Sequence, residues 1–135
     1  MHVMELSMSK NTGSGFVKTM FGAIAPYYDF LNRLLSLRRD VYWRRQTVAA
    51  MALPENARVL DAACGTGDVM IEIWRQKPRA RLWGLDFSEE MLGIAKKKTA
   101  RARPMNRQLL RAVDLLLPPL GTYHFECVSI AFCIF

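Results

Sequence analysis

The chain has 135 residues, 51% of them hydrophobic, with a formal net charge of +7. That length suits one domain with a modest core, and the composition excludes a disordered chain. The basic residues fall in short scattered groups, Arg38-Arg39, Arg44-Arg45, Lys96 to Lys98 and Arg101 to Arg107. They read as solvated helix faces, not as the contiguous basic face that a nucleic-acid partner needs, so no nucleic acid is expected.

Cys64, Cys127 and Cys133 include no close pair, and His2 and His124 have no ligand spacing around them. Neither a metal site nor a disulfide framework is expected, and reduced thiols in a cytoplasmic protein are the simplest account. Met1 to Gly15 lacks the apolar core of a secretory leader, and no apolar run approaches the ~20 residues that cross a bilayer.

In chain order, residues 1–15 read as a flexible lead-in ending in Ser and Gly. Phe16 to Ser36 has helical periodicity, with Val17, Met20, Phe21, Ile24, Phe30, Leu31, Leu34 and Leu35 as apolar positions. Pro26 is expected to break or kink it. Asp40 is expected to cap a second helix, which Pro54 closes off. Residues 16–53 thus form a helical cap segment.

From residue 54 the pattern changes. Arg58 to Ala63 reads as a buried strand, Gly65-Thr66-Gly67 as a turn and Asp68 to Gln76 as a helix. Arg81 to Leu85 reads as a second strand ending at Asp86. Ser88 caps a helix to about Ala100, with Glu89 and Glu90 suiting its first turn. Arg107 to Val113 is a third strand before Asp114, and Phe125 to Ile134 an apolar fourth. Alternating strands and helices imply an α/β fold with a mostly parallel sheet, whose ligands sit at the carboxyl ends of the strands.

The turn after the first strand carries the chemistry. Gly65 and Gly67 permit a sharp turn and close approach of the backbone to a ligand. Asp86, about twenty residues on, stands where a carboxylate can accept the ribose hydroxyls of a nucleoside. A dinucleotide site would want a third glycine where Met70 stands, and Asp61 and Asp68 flanking the turn would repel a pyrophosphate. S-adenosylmethionine has no phosphate, and its ammonium and sulfonium favour nearby carboxylates. No GxxxxGK[S/T] phosphate loop is present. Asp114 and Leu115 are placed to meet an adenine, and Ser129 and Ala131 share one face of the fourth strand.

At this point the sequence resembles the class I S-adenosylmethionine-dependent methyltransferases, and within them the ubiquinone/menaquinone biosynthesis C-methyltransferases. FGAIAPYYDFLNRLLSLRRDVYW, Phe21 to Trp43, is similar to that family's signature, with Tyr28-Asp29, Asn32, Ser36 and Trp43 at its spacing. FECVSIAF, Phe125 to Phe132, is similar to its fourth-strand segment, and CGTGD and LDFSEEML fit between them.

The resemblance implies a Rossmann-like methyltransferase fold, here its N-terminal half preceded by two helices, with strands in the order 3-2-1-4. It implies S-adenosylmethionine as cofactor, met by Asp61, Gly65, Thr66, Gly67, Asp86, Asp114, Leu115 and Ala131. Thr66 would donate to the methionine carboxylate, and Ala131 stands where the family often has a serine. The implied reaction is methylation of a lipophilic demethylquinol ring carbon, with a peripheral membrane contact. No residue is singled out as the general base.

Leu31 and Asp40 depart from the signature, and Cys133 and Phe135 replace an expected glycine and arginine. The family pattern continues with three more strands where this chain stops, as a truncation or frameshift would produce. An apolar fourth strand left at a sheet edge is expected to favour self-association. The alternative reading is a non-catalytic cofactor-binding fragment of such an enzyme.

Overall fold

The computed structural model describes residues 12–102, 108–112 and 124–130. The chain runs through α1 (Thr12–Leu35), α2 (Arg39–Ala50), β1 (Arg58–Ala62), α3 (Asp68–Gln76), β2 (Arg81–Asp86), α4 (Glu89–Ala102), β3 (Gln108–Ala112) and β4 (Cys127–Ser129). The four strands form one sheet in the order β3-β2-β1-β4, with every pairing parallel. This order leads the chain outward from β1 to β3 and then back across β1 to β4. It leaves the carboxyl ends of β1 and β2 side by side, with Asp61 opposite Gly84 and Ala62 opposite Leu85.

The core lies between the sheet and the helices. Val59 and Leu82 from the strands meet Val69, Met70, Ile73 and Trp74 from α3, Leu92 from α4 and Val48 from α2. The indole N–H of Trp74 donates to the Ala80 carbonyl at 3.1 Å, so this buried ring leaves no donor unmet. Gly84 is small because three side chains converge on it. A Cβ there would lie 2.6 Å from Leu110 Cδ2, 2.8 Å from Met70 Sδ and 3.0 Å from Cys64 Sγ. Gly84→Ala is therefore expected to cost about 1–3 kcal/mol in a urea melt, the usual range for overpacking a core.

Three local expectations differ from the structure. The first helix begins at Thr12, inside the expected lead-in, and runs unbroken through Pro26. Proline removes one backbone bond, but Ala25 is buried beside it, and Phe21 packs on Tyr28 and Phe87, so tertiary packing holds the helix together. Asp40 lies inside the first turn of α2, and the cap position falls to Arg38 in the left-handed region. Asp40 instead accepts from the Ser36 hydroxyl and from Arg44, both at 3.0 Å. The fourth strand is short, Cys127–Ser129. Residues 131–134 of its expected span lie outside the described residues, as do Arg107 and Val113 of the third.

The link between α1 and α2 is unusual. Leu37 and Arg38 both have positive φ, 51° and 64°. The Arg38 N–H bonds back to the Arg33 carbonyl and the Leu37 N–H to that of Leu34, a helix ending in which glycine is the usual left-handed residue.

Candidate functional site

Asp61 is 1% exposed near the end of β1. Its register partner on β4 is Ser129, whose hydroxyl donates to Asp61 Oδ1 at 3.1 Å. Asp61 Oδ2 is buried with no hydrogen-bond partner among the described residues. Burial pushes this carboxyl up to about 7; the Ser129 bond opposes the shift, and the negative charge of Asp86 adds to it.

Beyond β1 the chain turns sharply. The N–H groups of Ala63 and Cys64 both donate to the Leu85 carbonyl at 2.8 Å, which ties the turn to the end of β2. Gly65 and Gly67 have φ of 53° and 85°, the left-handed region that side chains rarely adopt. A Cβ on Gly67 would press on Ala95 of α4, whereas one on Gly65 would meet no atom within 4 Å. Gly67 is thus small for packing, and Gly65 leaves open space beside bare backbone. Cys64 in the same turn is buried, which pushes its thiol up and leaves it a packing group.

Asp86 ends β2 and is itself buried. The Gly65 N–H donates to its Oδ2 at 2.8 Å and the Ser88 N–H to its Oδ1 at 2.9 Å. Burial raises its pKa, opposed by the N–H bonds from Ser88, Gly65 and Phe87. Ser88 also caps α4, its hydroxyl accepting the Met91 N–H at 3.3 Å. Two desolvated carboxylates from neighbouring strands therefore flank one open turn. Such a site favours a cation and hydroxyl donors and disfavours phosphate.

Helix α1 lies against this region. Phe21 meets Phe87 edge-on at 5.8 Å, and a Cβ on Gly22 would sit 3.2 Å from the Glu90 carboxyl carbon. The Thr66 hydroxyl donates to Asp29 Oδ1 at 2.7 Å. Lys98 Nζ, on α4, donates to both Asp29 and Asp68 and lies 3.2 Å from the Thr66 hydroxyl. Arg44 of α2 closes the chain of charges, 3.0 Å from Asp40 and 3.5 Å from Asp68. One partly buried network thus ties α1, α2 and α4 to the glycine turn.

Asp61, Gly65, Thr66, Gly67 and Asp86 are brought together at the carboxyl ends of β1 and β2, while Asp114, Leu115 and Ala131 lie outside the described residues. The Thr66 hydroxyl is engaged by Asp29, and the residue is buried. Tyr27 is exposed, Tyr28 packs on Phe21, and Asp29 is held by Lys98.

Sequence reasoning missed Lys98 and the pairing of Ser129 with Asp61. Lys98 lies within the Lys96 to Lys98 run, yet buried Met91, Ala95 and Thr99 repeat at helical spacing, and position 98 borders that face. No helix among the described residues is long and apolar enough to cross a membrane.

Comparison with known proteins decides the lineage. The model of the ubiE/COQ5 methyltransferase family matches residues 7–135. The chain belongs to this family. It is 43% identical over 119 residues to the ubiquinone/menaquinone biosynthesis C-methyltransferase UbiE of Geobacter sulfurreducens, covering 87% of this chain and 46% of that protein. It is 45% identical over 114 residues to the demethylmenaquinone methyltransferase of Thermus thermophilus, covering 84% of this chain and 50% of that one.

The chain therefore spans about half the length of the curated relatives it matches. Among solved structures, the [4+2]-cyclase SpnF superposes with a TM-score of 0.66 at 21% identity, covering 83% of this chain and 47% of that one. A Methanococcus maripaludis protein, described as a putative S-adenosylmethionine-dependent methyltransferase, gives 0.60 at 21% identity over 73% of this chain and 44% of its own. These two likenesses concern the fold alone, and the cyclase illustrates that one fold carries different chemistries.

Proposed function

We propose that this site binds S-adenosylmethionine and belongs to an enzyme that methylates a ring carbon of a demethylated quinol. The observation that carries the cofactor reading is Asp61 Oδ2, a buried carboxyl oxygen without a partner among the described residues, beside a glycine turn with open space. A buried acid in that state calls for a cation, and the amino-acid end of S-adenosylmethionine provides an ammonium. The neighbouring Asp86 accepts backbone N–H groups, from Gly65 on one oxygen and Ser88 on the other, and as a carboxylate is suited to accept ribose hydroxyls as well. Family membership supports the same reading, and it extends the proposed contacts to Asp114 and Leu115 at the adenine and Ala131 at the end of the fourth strand.

When bound, the cofactor supplies an electrophilic methyl group on a sulfonium. The chain's own residues bind and orient it. Asp61 would hold its ammonium and Asp86 its ribose relative to the sheet, and the bare backbone at Gly65 would let it approach closely. Helix α1, held by Asp29 to Thr66 and Lys98, lies against the turn and limits the water reaching it. The substrate assignment rests on relatives named as ubiquinone/menaquinone and demethylmenaquinone methyltransferases.

Titration calorimetry of the 135-residue chain with S-adenosylmethionine tests the cofactor reading, with saturable one-to-one binding expected. Absence of binding at millimolar ligand overturns it. Transfer of a labelled methyl group to a demethylmenaquinol then tests the reaction. Binding without transfer would leave the chain a cofactor-binding fragment of the family's enzyme.

A further inference from the structure

The Thr66 hydroxyl has one proton and a fixed use for it. Lys98 Nζ donates to the Thr66 oxygen at 3.2 Å, and that hydroxyl donates onward to Asp29 Oδ1 at 2.7 Å. Lys98 also donates to Asp29 Oδ2 and to Asp68, so its three N–H groups are all engaged. Each oxygen of the Asp29 carboxylate thus receives one donor, a hydroxyl from the glycine turn and an ammonium from α4. Asp29 itself comes from a distant part of the chain, 37 positions before Thr66 and 69 before Lys98. Its helix is firmly seated there: Ala25, one turn earlier, is buried, and Gly22 lies against Glu90 of α4.

The turn and α4 therefore make a seat for a carboxylate, and a side chain of α1 fills it. Next to Thr66 stands Gly65, beside which there is open space. Before the turn stands Asp61, whose Oδ2 is buried with no partner among the described residues. An acceptor before the turn and a donor pair at Thr66 and Lys98 complement the two charges that an α-amino acid carries on one carbon. A second carboxylate arriving at this turn meets a Thr66 proton already committed to Asp29.

We propose that Asp29 is an internal competitor for the carboxylate of the cofactor and sets how much that carboxylate adds to affinity. The inference rests on the S-adenosylmethionine reading above. On binding, the Thr66 hydroxyl turns its proton from Asp29 Oδ1 toward the ligand. Lys98 keeps Asp29 Oδ2, which holds α1 in place and offsets the charge of the displaced acid. One charge-assisted hydrogen bond is exchanged for another of the same kind, so the carboxylate's net contribution in the parent chain is small.

The test is titration calorimetry with two ligands, S-adenosylmethionine and its decarboxylated analogue, which keeps the ammonium, the sulfonium and the ribose. The proteins are the full chain, Asp29→Ala and Asp29→Asn. In the parent the two dissociation constants should differ by less than about threefold, since the exchange is nearly balanced. In Asp29→Ala the ratio should widen roughly tenfold in favour of S-adenosylmethionine, because the freed Thr66 proton serves only a carboxylate. Asp29→Asn keeps a neutral acceptor and should fall between the two. A purely structural role for Asp29 would move both ligands together and leave the ratio unchanged. An unchanged ratio in both variants, or a parent that already prefers S-adenosylmethionine roughly tenfold or more, overturns the inference and leaves the cofactor reading standing. Absence of binding by either ligand to the parent overturns both.

Discussion

Asp61→Asn is expected to stabilise the ligand-free protein at pH 8 while weakening its binding of S-adenosylmethionine. Both effects come from one buried carboxyl raised from 3.8 to about 7 by desolvation, with Asp86 adding to the shift. The folded state holds this proton through a range where the unfolded state has lost it. Stability from this group is therefore complete below pH ~4, falls as pH rises toward 7 and stays reduced above it, by up to about 4 kcal/mol. Asparagine removes that titration and keeps an oxygen for the Ser129 hydroxyl. Its unpartnered amide returns about 1–3 kcal/mol of cost, leaving a net gain of about 1–3 kcal/mol.

The same substitution removes the negative charge that would meet the ligand's ammonium. A loss of about 2–4 kcal/mol in binding is expected, roughly 30- to 1000-fold in Kd. In the parent protein, affinity should rise up to about tenfold per pH unit below 7, since binding a cation requires Asp61 to ionise. In the asparagine variant that component of the pH dependence should vanish. Thermal melts and calorimetry across pH 5 to 8 measure both. A variant that melts lower at pH 8 and binds as tightly as the parent would refute the assignment.

Lys98→Met is expected to loosen the helical cap. Methionine keeps the length of the stem, so little packing is lost, but Asp29 and Asp68 then face each other without the ammonium between them. Removing one partner of a fully buried ion pair costs about 3–5 kcal/mol. Lys98 is 21% exposed at its side chain, so solvent screening reduces the expected loss to about 2–3 kcal/mol in a denaturant melt. Lys98→Arg should retain most of the stability, and Asp29→Asn combined with Lys98→Met should recover part of it. Because Thr66 shares this network, Lys98→Met should also weaken cofactor binding, whereas a destabilising change remote from the turn, such as Trp74→Phe at the far end of α3, should weaken it less. Equal losses of affinity in the two variants would show that the network does not position the turn.

These two residues differ in how much of their role was legible in the sequence. Asp61 stands in a motif whose spacing places it at the end of a strand beside a glycine turn. Lys98 stands in a run of three lysines that reads as a solvated face. Lys96 and Lys97 are exposed and fit that reading, while the third is drawn inward by two carboxylates from α1 and α3. Helical periodicity marks position 98 as bordering the buried face, but it does not show which residues stand opposite.

The sequence alone determined the alternating architecture and the position of the turn. Arg58–Ala62, Asp68–Gln76 and Arg81–Asp86 lie within a residue of their expected limits, because each is a short segment whose apolar pattern, glycines and caps agree with its surroundings. The tertiary structure decided the rest. It carried α1 through Pro26, since packing on α4 outweighs one lost backbone bond. It gave Arg38, and not Asp40, the cap of α2, because the preceding helix ends in a left-handed turn. It raised Asp61 to about 7 through burial, with the charge of Asp86 on the adjacent strand adding to the shift and the bond from Ser129, sixty-eight positions away in the chain, opposing it. Local patterns specify elements because their forces act within a few residues. The charge state of a buried acid is set by what surrounds it in space, which exists once the sheet has assembled.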